Sequence, residues 1–270
     1  MSALTALLVL GLQELPRSLQ DSGERPNQAS VEFSAVRQLW FADFHGRARA
    51  DGGSTAGTTL RFLHELHFPD EKTIPIYGGG DISVTVRQTL SEKNRLLFSA
   101  EYWSRVWRGN GTLTTTEALD DLVFPAGTYV ESQFHMTSVT LDAYIVHEER
   151  PFRVGATLPI HILSTRLRMD AADGGSHATI RDVCMGGGVF ADVRPIPYVF
   201  AGVSAKGYTG LAHPGRSGGG DFRGYAGLEW GPFQLQGGYR YRSHDLDVQD
   251  QGLRYVLSGP FGSFSLILRF

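Results

Sequence analysis

This chain of 270 residues contains one cysteine, Cys184, and only three lysines among its 25 basic residues. A single cysteine excludes an intramolecular disulfide and a zinc site built from several cysteines. Cys184 stands in the stretch Val183-Cys184-Met185-Gly186, whose apolar character favours a buried or lipid-facing thiol over a nucleophile. With lysine scarce, arginine carries the positive charge, and arginine is preferred where charges are paired or stacked on rings. GC-rich coding would produce the same bias.

Long apolar runs are also missing, since no stretch of about 18 apolar residues could form a transmembrane helix. The net charge of -3 and the isoelectric point of about 6.3 give no reason to expect a nucleic-acid partner. Glycine is abundant instead, with 33 residues, and aromatic residues make up 11% of the chain. This composition predicts an all-β protein with many turns.

The first 30 residues differ from the rest of the chain. Ala3 to Leu12 form a short apolar run with the length of a signal-peptide core, but no basic residue precedes it and no A-x-A site follows it. A polar stretch continues to Ser30. We interpret 1–30 as a degenerate export signal and linker, and a short amphipathic helix packed on the domain is the alternative.

From Val36 onward, apolar and polar residues alternate with a period of two, which indicates β-strands with one apolar and one polar face. The clearest case is 233–242, where Phe233, Leu235, Tyr239 and Tyr241 oppose glutamines and arginines. Strands are predicted at 37–49, 60–68, 82–90, 95–106, 139–145, 152–162, 183–193, 198–208, 218–230, 233–242 and 253–270. The connections alternate between short turns and longer polar stretches, predicted as loops at 108–127, 169–181, 208–218 and 244–252.

Three features favour a membrane barrel, with its apolar face outward, over a soluble β-sandwich. The polar faces collect charged side chains, the strands are long enough to cross a bilayer at a tilt, and aromatic residues stand near strand ends. The terminal segment, Gly262 to Phe270, places Phe264, Leu266, Leu268 and Phe270 on one face. It resembles the carboxyl-terminal assembly signal of bacterial outer-membrane β-barrel proteins. The Trp230-Gly-Pro-Phe233 turn resembles the penultimate hairpins of the same group.

The resemblance implies a closed antiparallel transmembrane β-barrel over 31–270, located in the bacterial outer membrane. Its expected partners are outer-membrane lipid and the barrel-assembly machinery, which would bind the strand ending at Phe270. The predicted segments number eleven, whereas single-chain bacterial barrels have an even number of strands. We expect about twelve strands, with ten as the alternative. The odd count leaves open a further strand near 111–117, a division of 253–270 at Gly259-Pro260, or a segment 37–49 outside the barrel.

No pattern in the sequence predicts catalytic, cofactor-binding or metal-binding residues. None of the nine histidines has a serine two positions later, and His135-Met136-Thr137 is only a weak substitute. The loop group His244, Asp245 and Asp247 could hold a water or a cation, although a solvated acidic loop is the simpler explanation.

The charged residues of the polar faces are the candidates for lining a pore. They are Arg61, Arg87, Arg95, Glu101, Arg105, Asp142, Arg153, Arg240 and Arg242. Basic groups exceed acidic groups on these faces, so an open lumen would favour anions. If the charges pair across a closed interior, the barrel conducts nothing.

Three functions are consistent with these patterns. The first is an outer-membrane barrel with porin-like passage of small solutes or a structural role. The second is an outer-membrane hydrolase acting on lipid or peptide. The third is a soluble all-β binding module.

Overall fold

The computed structural model describes residues 31–52, 56–62, 66, 81–91, 93–212, 216–248 and 251–269. Over these residues no helix is long and apolar enough to cross a membrane. The strands in the same residues are β1 (Val31–Trp40), β2 (Asp43–Ala50), β3 (Leu60–Arg61), β4 (Asp81–Thr89), β5 (Asn94–Thr112), β6 (Glu117–Leu119), β7 (Leu122–Phe124), β8 (Tyr129–Glu149), β9 (Phe152–Ala171), β10 (Gly174–Ile196), β11 (Val199–Gly210), β12 (Ser217–Trp230), β13 (Phe233–Val248) and β14 (Gln251–Arg269). The predicted leader, 1–30, lies outside the described residues.

In the part of the chain that the structure describes, ten strands are hydrogen-bonded into an antiparallel ring. The order is β1-β4-β5-β8-β9-β10-β11-β12-β13-β14, and β14 pairs with β1 to complete it. From β8 to β14 each strand of the ring follows its neighbour directly along the chain, whereas β5 is joined to β8 through the longer connection 113–128. Over 31–40 and 81–89, where β1 and β4 take part, the ring leaves no strand edge unpaired, which is the condition for a β-structure to span lipid.

The first position of the ring is shared by β1 and β2. β1 pairs with the end of β14, and β2 pairs with its beginning, so the two form one long strand interrupted at 41–42. The amide of Phe41 still donates to the carbonyl of Pro260, at 2.9 Å. The segment 37–49 therefore belongs to the barrel, and 253–269 is not divided at Gly259-Pro260.

The predicted strand at 60–68 is the one that does not become a ring position. Of it, the described residues contribute only the two-residue β3, which pairs with β2; 63–65, 67 and 68 lie outside the described residues. The other ten predicted segments all become ring positions. The main sheet, with β2 and β3 counted separately, has twelve strands over the described residues.

Short turns join the strands at one end of the barrel, at 150–151, 197–198 and 231–232 among other places. At the first of these, Lys93 Nζ donates to Glu149 Oε1 at 2.7 Å, and this hydrogen bond lowers the pKa of Glu149. In outer-membrane barrels the short turns face the periplasm. We call the half of the barrel that ends in these turns the inner half, and the opposite half the outer half.

At the outer end, two of the predicted polar loops are strands. β9 and β10 continue through 169–181 and leave only 172–173 as their turn, and β13 and β14 continue through most of 244–252. The loop predictions were wrong there because the polar residues belong to the outward face of strands that extend beyond the membrane. The connection 113–128 is a true loop and carries the small β6–β7 hairpin.

The alternation of faces inverts along the barrel axis. On the inner half of β9, apolar residues such as Leu158 and Ile160 point outward, while Thr157 and His161 are buried inside. Beyond Leu163 the faces exchange: apolar residues of β9 point inward and arginines point outward. The outer half is therefore built like a soluble protein, and the inner half like a membrane protein.

The outward face of the inner half forms a continuous apolar band. Leu158 is 69% exposed and Ile145 is 65% exposed, values that an apolar side chain reaches in a soluble protein only at isolated positions. Other members of the band are Phe98, Leu141, Phe152, Val154, Val189, Val203, Leu228, Trp230, Leu235, Phe264, Leu266 and Leu268. An antiparallel ring with such a band is a transmembrane β-barrel of the outer-membrane type.

Candidate functional site in the barrel interior

A polar cavity occupies the inner half of the barrel. Its volume is about 250 Å³, and serine, threonine and glutamine side chains make up much of its wall. Phe200 also borders it; its ring lies over Gly227, where a Cβ atom would come within 2.5 Å of the ring. Glycine on β12 thus makes room for an aromatic ring inside a barrel of small radius.

A cluster of buried charges forms the end of this cavity nearest the middle of the barrel. Arg240 Nη2 lies 2.6 Å from Glu101 Oε1 and 2.6 Å from Asp221 Oδ2. Arg242 Nη2 contacts the same two acids at 2.9 and 2.7 Å, and Arg223 Nη2 lies 2.5 Å from the other oxygen of Glu101. We call these five residues the central ion cluster.

The central ion cluster crosses the lumen. Arg240 is on β13 and Glu101 is on β5, which are separated in the ring by at least three strands on either side. Arg240 and Arg242 are 0% and 1% exposed. The Arg240 guanidinium also lies 4.9 Å from the centre of the Trp40 ring, so an aromatic face covers the cluster.

Two further ion pairs lie around the cavity. Lys206 Nζ lies 2.7 Å from Asp142 Oδ2 and donates to the Tyr144 hydroxyl at 3.0 Å. Nearer the short turns, Arg153 binds Asp192 through Nε and Nη2, the shorter contact being 2.6 Å. The cations of the cavity wall therefore face carboxylates across short distances.

The predicted pore-lining residues fall into three groups. Arg240, Arg242 and Glu101 form most of the central ion cluster, whereas Asp142 and Arg153 belong to the flanking pairs. Arg105 is buried inside the barrel, where its Nη2 donates to the Trp40 carbonyl at 2.5 Å.

The remaining three predicted residues stand apart from these. Arg95 lies beside a short turn and donates to the carbonyls of Ser91 and Asn94. Arg61 is exposed on β3. Arg87 belongs to β4, and its side chain is outside the described residues. That any of the nine lines an open pore stays a prediction.

Several interior charges were missed in the sequence, most importantly Asp221, Asp192 and Lys206. Asp221 and Arg223 follow Gly218-Gly219-Gly220 within the predicted strand 218–230. The period of two was a usable signal, because both residues lie on the face of this strand opposite to Phe222 and Leu228. Asp221 and Asp192 are the buried acid partners of Arg240 and Arg153, so these arginines do not present free positive charge to the lumen.

A second polar cluster lies next to the central one, on the outer side of Arg242. Asp182 Oδ2 lies 3.0 Å from His244 Nε2 and 3.2 Å from Cys184 Sγ, and it also accepts a hydrogen bond from Ser217. All four residues are buried. Asp245 and Asp247, which we had grouped with His244, are exposed on the opposite face of β13, so the structure separates that loop group.

The arrangement of this cluster is not that of a catalytic triad. In a triad the histidine stands between the serine and the acid. Here Asp182 stands between Ser217 and His244, so the imidazole cannot take a proton from the hydroxyl. Of the histidines weighed for catalysis, His135 instead meets a hydroxyl on the outward face: its Nε2 lies 3.1 Å from Ser104 Oγ.

The interior of the outer half is a packed apolar core. Phe44 stacks on Trp107 with ring centres 4.0 Å apart, and on Phe62 at 4.5 Å. Loop residues Leu113, Leu119 and Phe124 are buried in the same core as strand residues. The core therefore covers the central ion cluster on the side facing away from the cavity.

The sequence matches no protein-family model and no curated protein sequence. Among solved structures, the chain is similar to the attachment invasion locus protein Ail of Yersinia pestis, with a TM-score of 0.34, 10% identity, and coverage of 88% of this chain and 99% of that one. It is also similar to an outer membrane channel from Pseudomonas putida F1, with a TM-score of 0.36, 10% identity, and coverage of 92% and 99%. For the translocator domain of the autotransporter NalP from Neisseria meningitidis, the TM-score is 0.35, the identity 9%, and the coverage 87% of each chain.

Proposed function

We propose that this chain is a bacterial outer-membrane β-barrel with a lumen that is closed at rest, and that its role in the membrane is structural. The observation that carries the proposal is the contact of Arg240 with Glu101 across the lumen. Water and solutes could pass this level only if several buried ion pairs separated. Breaking one buried pair by removing a partner costs ~3–5 kcal/mol.

The size of the barrel supports the same conclusion. A barrel of about eight strands is just wide enough for side chains to fill, and ten strands widen it by about a quarter, which large side chains can still fill. Trp40, Trp103 and the arginines of the central ion cluster occupy this interior, and the apolar core lies above them. The polar cavity then communicates with the periplasmic side alone.

The apolar band supports lipid of the outer membrane as the immediate partner of the protein. Recognition by the barrel-assembly machinery remains part of the proposal. This recognition would use the outward apolar residues of β14, which are Phe264, Leu266 and Leu268 in its described part. Phe270 lies outside the described residues.

Conductance across a planar lipid bilayer tests closure directly. Protein that shows heat-modifiable gel migration, and is therefore folded, is added beside a known open porin as the control. We expect no stable conductance steps from this chain. Long-lived, porin-like steps in most insertions would overturn the proposal and would favour passage of small solutes.

The Ser104–His135 contact favours a second candidate, an outer-leaflet hydrolase of lipid esters. Both residues lie on the outward face just beyond the apolar band, where a lipid ester could reach them. Among the described residues, none donates to or accepts from His135 Nδ1, so the third member of a triad is not in place. Ester hydrolysis by detergent-solubilised protein tests this function. The hydrolase function requires that the unmodified protein cleaves the ester and that Ser104→Ala abolishes this activity. Ser164→Ala, a control on the same face, should leave the activity unchanged.

A further inference from the structure

The buried cluster of Asp182, Cys184 and His244 has the geometry of a metal site. Asp182 and Cys184 are two residues apart on β10 and share its inward face, and His244 reaches them from β13. One ligand atom from each residue lies within 4.8 Å of the other two. The contacts of 3.0 and 3.2 Å at Asp182 Oδ2 are close to the edges of a tetrahedron of metal ligands.

The polar atoms around this cluster are incompletely satisfied. His244 is 2% exposed, yet neither ring nitrogen makes a hydrogen bond of acceptable geometry with the described residues. The hydroxyl groups of Tyr208 and Tyr255 are buried beside it and are also without partners there. A buried polar atom without a partner is unfavourable, so several together indicate a bound group.

The position of His244 is fixed by its neighbours. The Tyr255 ring stacks on the imidazole, with ring centres 5.8 Å apart and planes inclined by 24°. Three polar groups crowd one oxygen of Asp182, because the Ser217 hydroxyl, the Cys184 thiol and His244 Nε2 all approach Oδ2. A cation at this point would replace the hydrogen bond of the thiol and the close approach of the imidazole with coordination.

We propose that Asp182, Cys184 and His244 bind one Zn²⁺ ion inside the barrel, with the Ser217 hydroxyl or a water molecule as the fourth ligand. A thiolate, an imidazole and a carboxylate are the donor set that Zn²⁺ takes in proteins. Binding releases the thiol proton to solvent, and the charges of the thiolate and the carboxylate then balance the ion. The site ties β10 to β13 across β11 and β12, so its role is structural.

The experiment uses the full chain, folded in detergent and freed of metal by chelator and dialysis. Co²⁺ serves as a spectroscopic probe, because a thiolate ligand gives a charge-transfer absorption band in the near ultraviolet. Zn²⁺ is then added to displace Co²⁺, and bound zinc is counted by mass spectrometry. We expect one metal ion per chain and a thiolate band that Zn²⁺ removes.

Two ligand variants and two controls locate the ion. Cys184→Ser should abolish the band. His244→Gln should weaken Zn²⁺ binding at least ~100-fold, because the loss of a residue that only hydrogen-bonds to a metal ligand can already weaken metal binding to that extent. Asp245→Asn and His135→Gln change residues of the same types on the outward face and should leave binding unchanged. Heat-modifiable migration verifies that each variant is folded.

The proposal fails if the unmodified chain gives no thiolate band with Co²⁺, a result that does not depend on any variant folding. It also fails if folded Cys184→Ser and His244→Gln bind Zn²⁺ as the unmodified chain does. Closure of the lumen is measured by conductance and does not depend on either outcome.

Discussion

The guanidinium of Arg240 and the carboxylate of Glu101 meet across the barrel, with Nη2 and Oε1 2.6 Å apart. Glu101 also forms ion pairs with Arg242 and Arg223, so three guanidinium groups share the carboxylates of Glu101 and Asp221. The pair lies where the apolar face of the strands changes from outward to inward. It therefore separates the membrane-type half of the molecule from the half with a soluble-type core.

Replacing Glu101 with glutamine should destabilise the barrel strongly. The amide keeps the size of the side chain but leaves the buried arginines with Asp221 as their only anion. We expect the free energy of unfolding to fall by ~3–5 kcal/mol. Urea unfolding in lipid vesicles, followed by tryptophan fluorescence, measures the change.

Glu131→Gln is the matched control for that experiment, because Glu131 is exposed on the outward face of β8. It should change the free energy of unfolding by less than ~0.5 kcal/mol. Equal effects of the two substitutions would show that the central ion cluster does not stabilise the fold.

Truncating Phe134 tests the core of the outer half. Its ring is fully buried and lies 4.9 Å from the ring of Phe62 and 5.5 Å from that of Phe44. Phe134→Ala should lower the free energy of unfolding by ~3–5 kcal/mol, because it removes apolar contacts and leaves a cavity. His135→Ala, at the adjacent exposed position, should have little effect. A larger loss of unfolding free energy for His135→Ala than for Phe134→Ala would argue against an inward-facing core.

Arg37 is a charge on the outward face of β1, where it is paired in register with Phe264 and flanked by Ala35 and Leu39. An arginine in the lipid-facing band costs up to ~2–4 kcal/mol, and less near the interfaces. Arg37→Leu should therefore raise the free energy of unfolding in vesicles by ~2 kcal/mol. Arg166→Leu, beyond the band on β9, should raise the free energy of unfolding by much less. Equal changes for Arg37→Leu and Arg166→Leu would place Arg37 outside the lipid.

The period of two was sufficient to find the strands of the ring, because the ring strands carry an apolar outward face in their membrane part, which on β1 is interrupted by Arg37. It failed at 60–68, where apolar residues fill the outer core instead: Phe62 and Leu66 are buried there. The sequence alone does not distinguish an apolar residue that faces lipid from one that faces a core.

The inversion of faces has a local signal that we did not use. On β9 the alternation is Ile160, Ile162, and then Leu163, so two adjacent apolar residues mark the change of phase. Without that change, the predicted strand ended at 162, Leu167 was left out of it, and Met169 fell into the predicted loop 169–181. The central ion cluster could not be predicted as a unit, since its members come from β5, β12 and β13 and meet only when the ring closes.

The membrane position of the barrel is tested most directly by cysteine labelling along the outward face of β9, in a Cys184→Ala background on intact cells. A membrane-impermeable maleimide should label Arg166→Cys and should not label Leu158→Cys, because lipid excludes water and reagent from the thiol. After the membrane is dissolved and the protein unfolded, both should react. Labelling of Leu158→Cys to the same extent as Arg166→Cys on intact cells would contradict a lipid-facing band and, with it, the outer-membrane barrel.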